Sequence, residues 1–216
     1  MKSVTTVVLA AGTGKRLGGP KALLAWPSAK GKEIPIAVAH AEARLAAESS
    51  SVLVVTRKPM MKPLLGHVRP GLDLLVSDAP DELGPAGSIA AAVPRLGDAE
   101  AVIVTPVDTP PAKADTVAKL LARLAADPAL LAARPVYHGR AGHPVALRPA
   151  ALARYAEASP PPLRDHLRSL GAAVADVEVS DTAVLIDLNT PADVMGLLRT
   201  LPRFVVPPAP GSKPGF

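Results

Sequence analysis

The sequence predicts an α/β protein: a three-layer, mostly parallel, doubly wound (Rossmann-like) sheet. Three observations lead there. Apolar and β-branched runs at Thr5–Ala10, Ser51–Thr56 and Ala101–Thr105 are continuous, the mark of strands buried on both faces. Helix-spaced segments separate them, and strand–helix–strand order of this kind makes parallel pairs joined by crossover helices. At 216 residues the chain also has enough material for one ordinary domain with a real core.

In chain order, Thr5–Ala10 runs into a glycine-rich loop, and a helix is expected over Ile36–Glu48. The strand SVLVVT follows, then a short helix near Met60–Gly66 and a shorter strand, Leu72–Val76. A helix over Ser88–Leu96 leads into the strand AVIVT. Asp115–Ala126 (DTVAKLLARLAA) is the clearest helix, with an apolar stripe at three- and four-residue spacing and Asp115 as candidate N-cap. The second half reads as strands at Pro144–Arg148, Ala173–Val179 and Val184–Leu188, with helices over Pro149–Ala158 and Leu163–Leu170. Pro191 opens a last helix to about Leu201, since proline is favourable in a first turn. The expected domain is therefore 1–201, followed by a loose Pro/Gly-rich tail, 202–216.

Composition narrows the function. Hydrophobic residues make up 49% and aromatics only 2%, which favours helices packed tightly on a sheet over a base-stacking surface. With no cysteine, disulfides, thiolate nucleophiles and Cys-based zinc sites are excluded, and a reducing cytoplasm is the expected location. The apolar start, Val4–Ala11, enters a basic glycine-rich stretch without a small-residue cleavage signal, so it reads as a strand and not a signal peptide. No apolar run is long enough to span a bilayer, so no membrane partner is expected. The net charge of +5 points to an anionic partner. Its Lys and Arg are scattered without interleaved aromatics, which favours a small polyanion such as a nucleotide over nucleic acid.

The loop VVLAAGTGKRLGGPK carries the most information. Gly12 and Gly14 follow directly on a buried strand, where backbone without Cβ atoms can turn sharply and present N–H groups to phosphate oxygens. Lys15, Arg16 and Lys21 add three positive charges to the same loop. A solvated βα turn is one reading of these residues. A Rossmann dinucleotide fingerprint fits poorly, because Gly18, Gly19 and Pro20 interrupt an immediate helix and the second strand ends in Thr56-Arg57 rather than an acid. A Walker A loop fails because Arg16, not Ser or Thr, follows Lys15.

Triphosphate chemistry needs a divalent cation and so an acid near the loop. Asp108, in AVIVTPVDTPP, lies just past the carboxyl end of a buried strand, where loops of neighbouring strands meet over one crevice; the same residues also read as an ordinary turn. A second candidate is VLIDLNTPAD, where Asn189 or Thr190 also reads as a helix cap.

LAAGTGKRLGGPK resembles the signature of the molybdenum cofactor nucleotidyltransferase-like family, L-A-A/G-G-x-x-x-R-M/L-G-x-x-K. PVDTP resembles its D-x-P context, and VLIDLNTPAD its late D-x-D/N-T-P-x-D motif. LGPAGSIAAAV is similar to its G-x-x-x-S-[IL] segment, and YHGRAGHPVALRP to its x-G-x-x-G-H/N-P-V segment. The resemblance runs from about Val4 to Leu201 and implies the nucleotidyltransferase type of sheet. A charged stretch, Trp26–Ile36, is longer than the short turn the family leads one to expect, and Thr109 stands where Gln is common after the acid.

Carried over by position, the resemblance implies that Leu9, Ala10, Ala11 and Gly12 line the nucleoside. Gly14 and Arg16 would hold the phosphates, and Lys21 would reach the α-phosphate. Ser88 would sit near the base, with helix capping as its other reading, and Asp78 near the base or ribose, with a solvated loop acid as its other reading. Asp108 would bind Mg2+, completed by Asn189 ahead of Asp187. Arg140, Gly142 and His143 would form part of the acceptor pocket. The catalytic set is then Arg16, Lys21 and Asp108, and the remaining histidines read as incidental.

Ala11 and the proline before Lys21 resemble the CTP-using members. The implied reaction moves CMP from CTP to a phosphate-bearing acceptor, molybdopterin, releasing pyrophosphate, with a molybdoenzyme or its chaperone as an implied protein partner. A sugar- or alcohol-phosphate nucleotidyltransferase, an NADP-binding reductase and a non-catalytic nucleotide-binding protein are the competing readings.

Overall fold

Val4–Leu9 forms β1, buried at all six positions, because only β-branched, apolar and small hydroxyl side chains occupy it. The computed structural model of the chain describes residues 3–47 and 49–205. Around β1 the main sheet gathers β4 (Ser51–Thr56), β5 (Leu72–Val76), β6 (Ala101–Pro106), β7 (Ala132–Tyr137), β8 (Arg140–Ala141), β9 (Val145–Leu147) and β10 (Val174–Glu178). Its order is β10-β7-β9-β6-β1-β4-β5, with β8 on β7. Pairing is parallel along β6-β1-β4-β5 and between β7 and β10, while β9 runs antiparallel to both of its neighbours. The sheet is mixed and mostly parallel, of the doubly wound kind.

Alternation along β1 builds the three layers. Val8 and Ala10 face a core shared with α1 (Ile36–Leu45), Leu64 of α2 (Lys58–Leu65) and Val194 of α6 (Pro191–Leu198). Ala101 and Ile103 of β6 face the same way, against Val117, Leu120 and Leu124 of α4 (Ala114–Ala126). On the opposite face Val7, Leu9, Val102 and Val104 pack on Ile89 of α3 (Gly84–Ala92) and Leu167 of α5 (Leu163–Leu170). Each Val or Ile removed from water in this way contributes roughly 1.5–3 kcal/mol. Among the described residues no helix is long and apolar enough to cross a membrane.

Several elements differ from the sequence reading, each for a local reason. The charged stretch after Trp26 is an antiparallel hairpin, β2 (Ala25–Pro27) and β3 (Glu33–Pro35). The helix expected to Glu48 ends at Leu45, and Glu48 itself lies outside the described residues. Asp115 does not cap α4; Lys113 holds that position, and Asp115 pairs with Lys119 one turn on, at 2.8 Å. The strand β7 was hidden because Arg134 and Pro135 interrupt its apolar run; Arg134 pairs with Asp176 of the adjacent β10 at 2.6 Å. In place of a strand over Val184–Leu188 there is a 3-10 turn, Thr182–Leu185. Buried Asp181 causes it, accepting from the Ala183 and Lys113 amides at 3.2 and 2.9 Å and from Thr116 Oγ1 at 3.1 Å. Of the expected tail, Phe204 bridges to Leu24, while 206–216 lie outside the described residues.

Two basic side chains sit on the buried side of α1, whose one acid, Glu42, pairs instead with Arg69 at 2.9 Å. His40 is 2% exposed and its Nε2 lies 2.8 Å from the Thr109 carbonyl, which can only accept, so Nε2 carries the proton. One turn later the Arg44 guanidinium, equally buried, donates to the Ala112 carbonyl at 2.5 Å. Burial pushes the His40 imidazole down to about 4 from an ordinary 6.5. Folded His40 thus stays neutral where the unfolded chain already takes up the proton. The stability it contributes is complete above about pH 6.5 and is lost as the pH falls toward 4. Across that window the loss is about 3 kcal/mol. Urea unfolding followed from pH 7 down to pH 4 is expected to show this fall in the wild type and a clearly shallower one in His40→Asn; equal slopes would contradict it.

Candidate active site

The parallel register of β1 and β6 sets Leu9 opposite Pro106, so the two chains leave the sheet side by side at the same level. The Val107 amide donates to the Leu9 carbonyl at 3.1 Å and prolongs that pairing by one residue. Asp108 then stands beside the glycine loop. The Leu188 amide donates to the Asp108 carbonyl at 2.7 Å, which brings Asn189 to the same place from the far end of the chain.

The loop's own shape follows from its glycines and one leucine. Gly14 has φ 64°, and a Cβ there would lie 1.9 Å from the Gly19 carbonyl oxygen, so no other residue fits. The amides of Leu17 and Gly18 donate to the Gly14 carbonyl at 2.9 and 3.1 Å, closing a tight turn. Leu17 is 1% exposed and sunk in the core beneath α1, an apolar anchor that leaves Lys15 and Arg16 on the surface. The backbone of 11–16 lines a cavity of about 380 Å³ together with Lys21, Pro106, Val107, Asp108 and Asn189.

At the floor of this cavity the Lys21 ammonium bridges two oxygens, 2.7 Å from Asp108 Oδ2 and 2.6 Å from Asn189 Oδ1. Arg16 Nη2 approaches the same Asn189 oxygen at 3.4 Å. The pair is part-buried, with Lys21 16% and Asp108 26% exposed. Asn189 is itself pinned. The Asp193 carboxylate accepts from the Asn189 amide at 3.0 Å, the Thr190 amide at 2.7 Å and the Thr190 hydroxyl at 2.9 Å, forming the capping box of α6. Those bonds, led by the Thr190 hydroxyl, hold the Asp193 carboxyl below the usual range.

Two hard oxygens converging on one cationic atom are the donor set a magnesium-like ion takes, with phosphate oxygens supplying the rest. The Lys21 ammonium marks the position, so Asp108 and Asn189 fit a divalent cation. Among the described residues no group of three or more His, Cys, Asp or Glu side chains gathers around a metal position.

The other sequence candidates fall in different places. Leu9, Ala11, Gly12 and Ser88 line the cavity, whereas Ala10 is buried in the core below. Ser88 lies a turn inside α3, which begins at Gly84, so it is not that helix's cap. Asp78 is exposed and outside the lining; Asp81 and Arg57, which the sequence reading passed over, line it instead. Arg57 Nη1 donates to the Ser77 and Ala79 carbonyls at 3.0 and 2.5 Å, and Nη2 to Asp81 at 2.5 Å, so it fixes the 77–81 loop. Gly142 presses on Val184, whose carbonyl oxygen a Cβ would meet at 2.0 Å. The His143 amide donates to that carbonyl at 2.9 Å, and burial holds its imidazole below the ordinary value, against the pull of Asp187 and Asp108. Arg140 is exposed on β8, away from the cavity lining. His40 and Arg44, read as incidental or not singled out, hold the backbone that follows Asp108. An i, i+4 pair of basic residues in an alanine-rich, mostly apolar helix was the available signal.

A family model, the MobA-like NTP transferase domain, matches residues 6–179. No curated protein matches the chain significantly. Among solved structures, a Mycobacterium sp. strain JC1 homolog of Mycobacterium tuberculosis Rv0371c shares 28% identity over 91% of this chain and 95% of its own, with TM-score 0.72. Mycobacterium tuberculosis Rv0371c in complex with manganese shares 20% over 92% and 99%, with TM-score 0.71. The 4-diphosphocytidyl-2C-methyl-D-erythritol synthase of Anaerococcus prevotii shares 15% over 92% and 97%, with TM-score 0.67.

Gly14→Ala is expected to displace the loop by forcing Gly19 away and to weaken nucleoside triphosphate binding roughly a hundredfold, with the fold kept. Calorimetric titration with CTP, alongside circular dichroism, checks this; unchanged affinity would show that the loop does not hold the phosphates.

Proposed function

We propose, for a chain that belongs to the MobA-like NTP transferase family, that it moves a nucleoside monophosphate, CMP from CTP, onto a phosphate-bearing acceptor and releases pyrophosphate. The observation that carries this reading is the Lys21 ammonium seated between Asp108 and Asn189 at the floor of the glycine-loop cavity. A nucleoside triphosphate offers that cavity what it lacks: several negative charges for Arg16, Lys21 and the loop backbone.

An oxygen of the acceptor's phosphate attacks the α-phosphorus, the bond to the bridging oxygen of the β-phosphate breaks, and pyrophosphate leaves. The acceptor oxygen is already ionised at neutral pH, so neither a general base nor a covalent nucleophile is needed. Asp108 and Asn189 would hold magnesium, which when bound would supply charge neutralisation on the phosphate oxygens. Lys21 turns from its two oxygens to the α-phosphate, where charge builds, and Arg16 holds the leaving phosphates. The loop amides fix the triphosphate in line, so catalysis is alignment plus electrostatics. Asp193 keeps Asn189 in place, and His40 and Arg44 keep the Asp108 turn in place. The domain carrying this chemistry is proposed to be the single unit 1–201, with the backbone of Arg203–Val205 hydrogen-bonded onto it.

Molybdopterin is the proposed acceptor, on the strength of the GHP segment at Gly142–Pro144 and the CTP-type loop. A sugar- or alcohol-phosphate acceptor is the second reading, favoured by the structural likeness to the diphosphocytidyl-methylerythritol synthase. A molybdoenzyme or its chaperone as partner belongs to the first reading alone.

Pyrophosphate release measured with each of the four triphosphates, with and without molybdopterin, is expected to peak with CTP and molybdopterin. Asp108→Ala is expected to cut turnover by at least roughly a thousandfold while CTP affinity falls less than tenfold. Equal turnover in that variant at ordinary magnesium would remove Asp108 from the mechanism, and CTP binding without pyrophosphate release in the wild type would leave a nucleotide-binding protein.

A further inference from the structure

Against the glycine loop, outside the lining of its cavity, runs the segment Arg203–Val205. Its backbone is stitched to the segment that carries Lys21. The Ala25 amide donates to the Arg203 carbonyl at 2.7 Å, and the Val205 amide to the Leu23 carbonyl at 2.8 Å. An antiparallel bridge joins Phe204 to Leu24, and Arg203 pairs with Glu33 of the hairpin. The Phe204 side chain is half-buried and packs on the core that holds Leu17, Ala22, Leu23 and Leu24.

The ring of Phe204 lies flush against Gly19. A Cβ at Gly19 would meet three ring carbons, Cζ, Cε2 and Cε1, at 2.7, 2.8 and 2.9 Å. Gly19 does not have the positive φ of Gly14 and Gly18, and the three atoms nearest a Cβ there all belong to the Phe204 ring. The carbonyl of Gly19 in turn abuts Gly14, where a Cβ would come within 1.9 Å of it. Phe204, Gly19 and Gly14 therefore form one stack from the C-terminal segment to the loop's phosphate-facing turn, with Lys21 two residues beyond Gly19.

We infer that Phe204 is a positioning residue: it backs the glycine loop through Gly19 and thereby sets the place of Gly14 and Lys21 against the bound triphosphate. This rests on the reading that the loop holds the phosphates of a nucleoside triphosphate. The segment Arg203–Val205 is then a working part of the nucleotide site, although Phe204 touches neither substrate nor reacting atoms. Removing the ring leaves Gly19 unsupported and lets the turn around Gly14 relax away from its partners. Adding a methyl to Gly19 forces the ring and the loop apart.

Calorimetric titration of the full-length protein with CTP in excess magnesium, paired with thermal unfolding, tests this. Phe204→Ala is expected to weaken CTP binding roughly tenfold at a temperature where the variant is fully folded, and Phe204→Leu to restore most of it. A residue that only stabilises the fold would lower Tm and leave the affinity of the folded protein unchanged. Gly19→Ala alone is expected to weaken CTP binding as well. Combined with Phe204→Ala, it is expected to cost little further, because the methyl occupies the space the ring vacates. Wild-type affinity in folded Phe204→Ala, or fully additive losses in the double variant, would overturn the inference. Failure of the wild type itself to bind any of the four triphosphates would instead overturn the reading on which it rests.

Discussion

The site depends on one pairing between two neighbouring strands. Because β1 and β6 lie parallel with Leu9 opposite Pro106, their carboxyl ends stop at the same height, and whatever follows must share one crevice. A one-residue slip in that register would turn every core side chain of β1 to the wrong face, since Val7 and Val8 belong to different layers. The hydrophobic effect thus fixes the register, and the register places a cationic loop beside a carboxylate. The Lys21–Asp108–Asn189 bridge is the consequence, not the cause, of that arrangement.

Holding such a bridge in place takes polar groups, with His40, Arg44 and Thr109 buried and Asp193 part-exposed. His40 and Arg44 reach up from α1 to the carbonyls of Thr109 and Ala112, a stretch whose two prolines cannot donate hydrogen bonds. Asp193 gathers the amides ahead of α6 and so aims Asn189. Thr109 turns inward and donates to the Pro106 carbonyl at 3.0 Å, so its hydroxyl closes the turn around Asp108. Each support acts on backbone, and each lies one layer behind the groups that face the cavity.

Periodicity made the parallel strands and the α4 and α5 helices legible, because their apolar patterns answer to burial alone. Patterns broken by charge were not: β7 carries Arg134, and the turn at Thr182–Leu185 is capped by Asp181, whose long-range partners Lys113 and Thr116 lie 68 and 65 residues away. The same holds for the site. The glycine loop and Asp108 were legible by residue type and position and Asn189 through the family resemblance, and the fold brings all three to one cavity. Arg57 and Phe204 were not, since each acts through a contact with backbone distant in sequence that no local pattern records. Asp78 was drawn toward the site by its position at a strand end, but it is Asp81 of the same loop, still exposed, that meets Arg57 in the cavity lining.

The central claim is that the glycine loop and Asp108 grip one polyphosphate from opposite sides. A crystal structure grown with CTP and manganese, with the metal located by anomalous scattering, tests it most directly. The expected result is manganese between the Asp108 carboxylate and the Asn189 carboxamide oxygen, with the triphosphate in the cradle of 11–16 and the Lys21 ammonium on its α-phosphate. Manganese bound elsewhere, or a triphosphate lying outside that cradle, would contradict it.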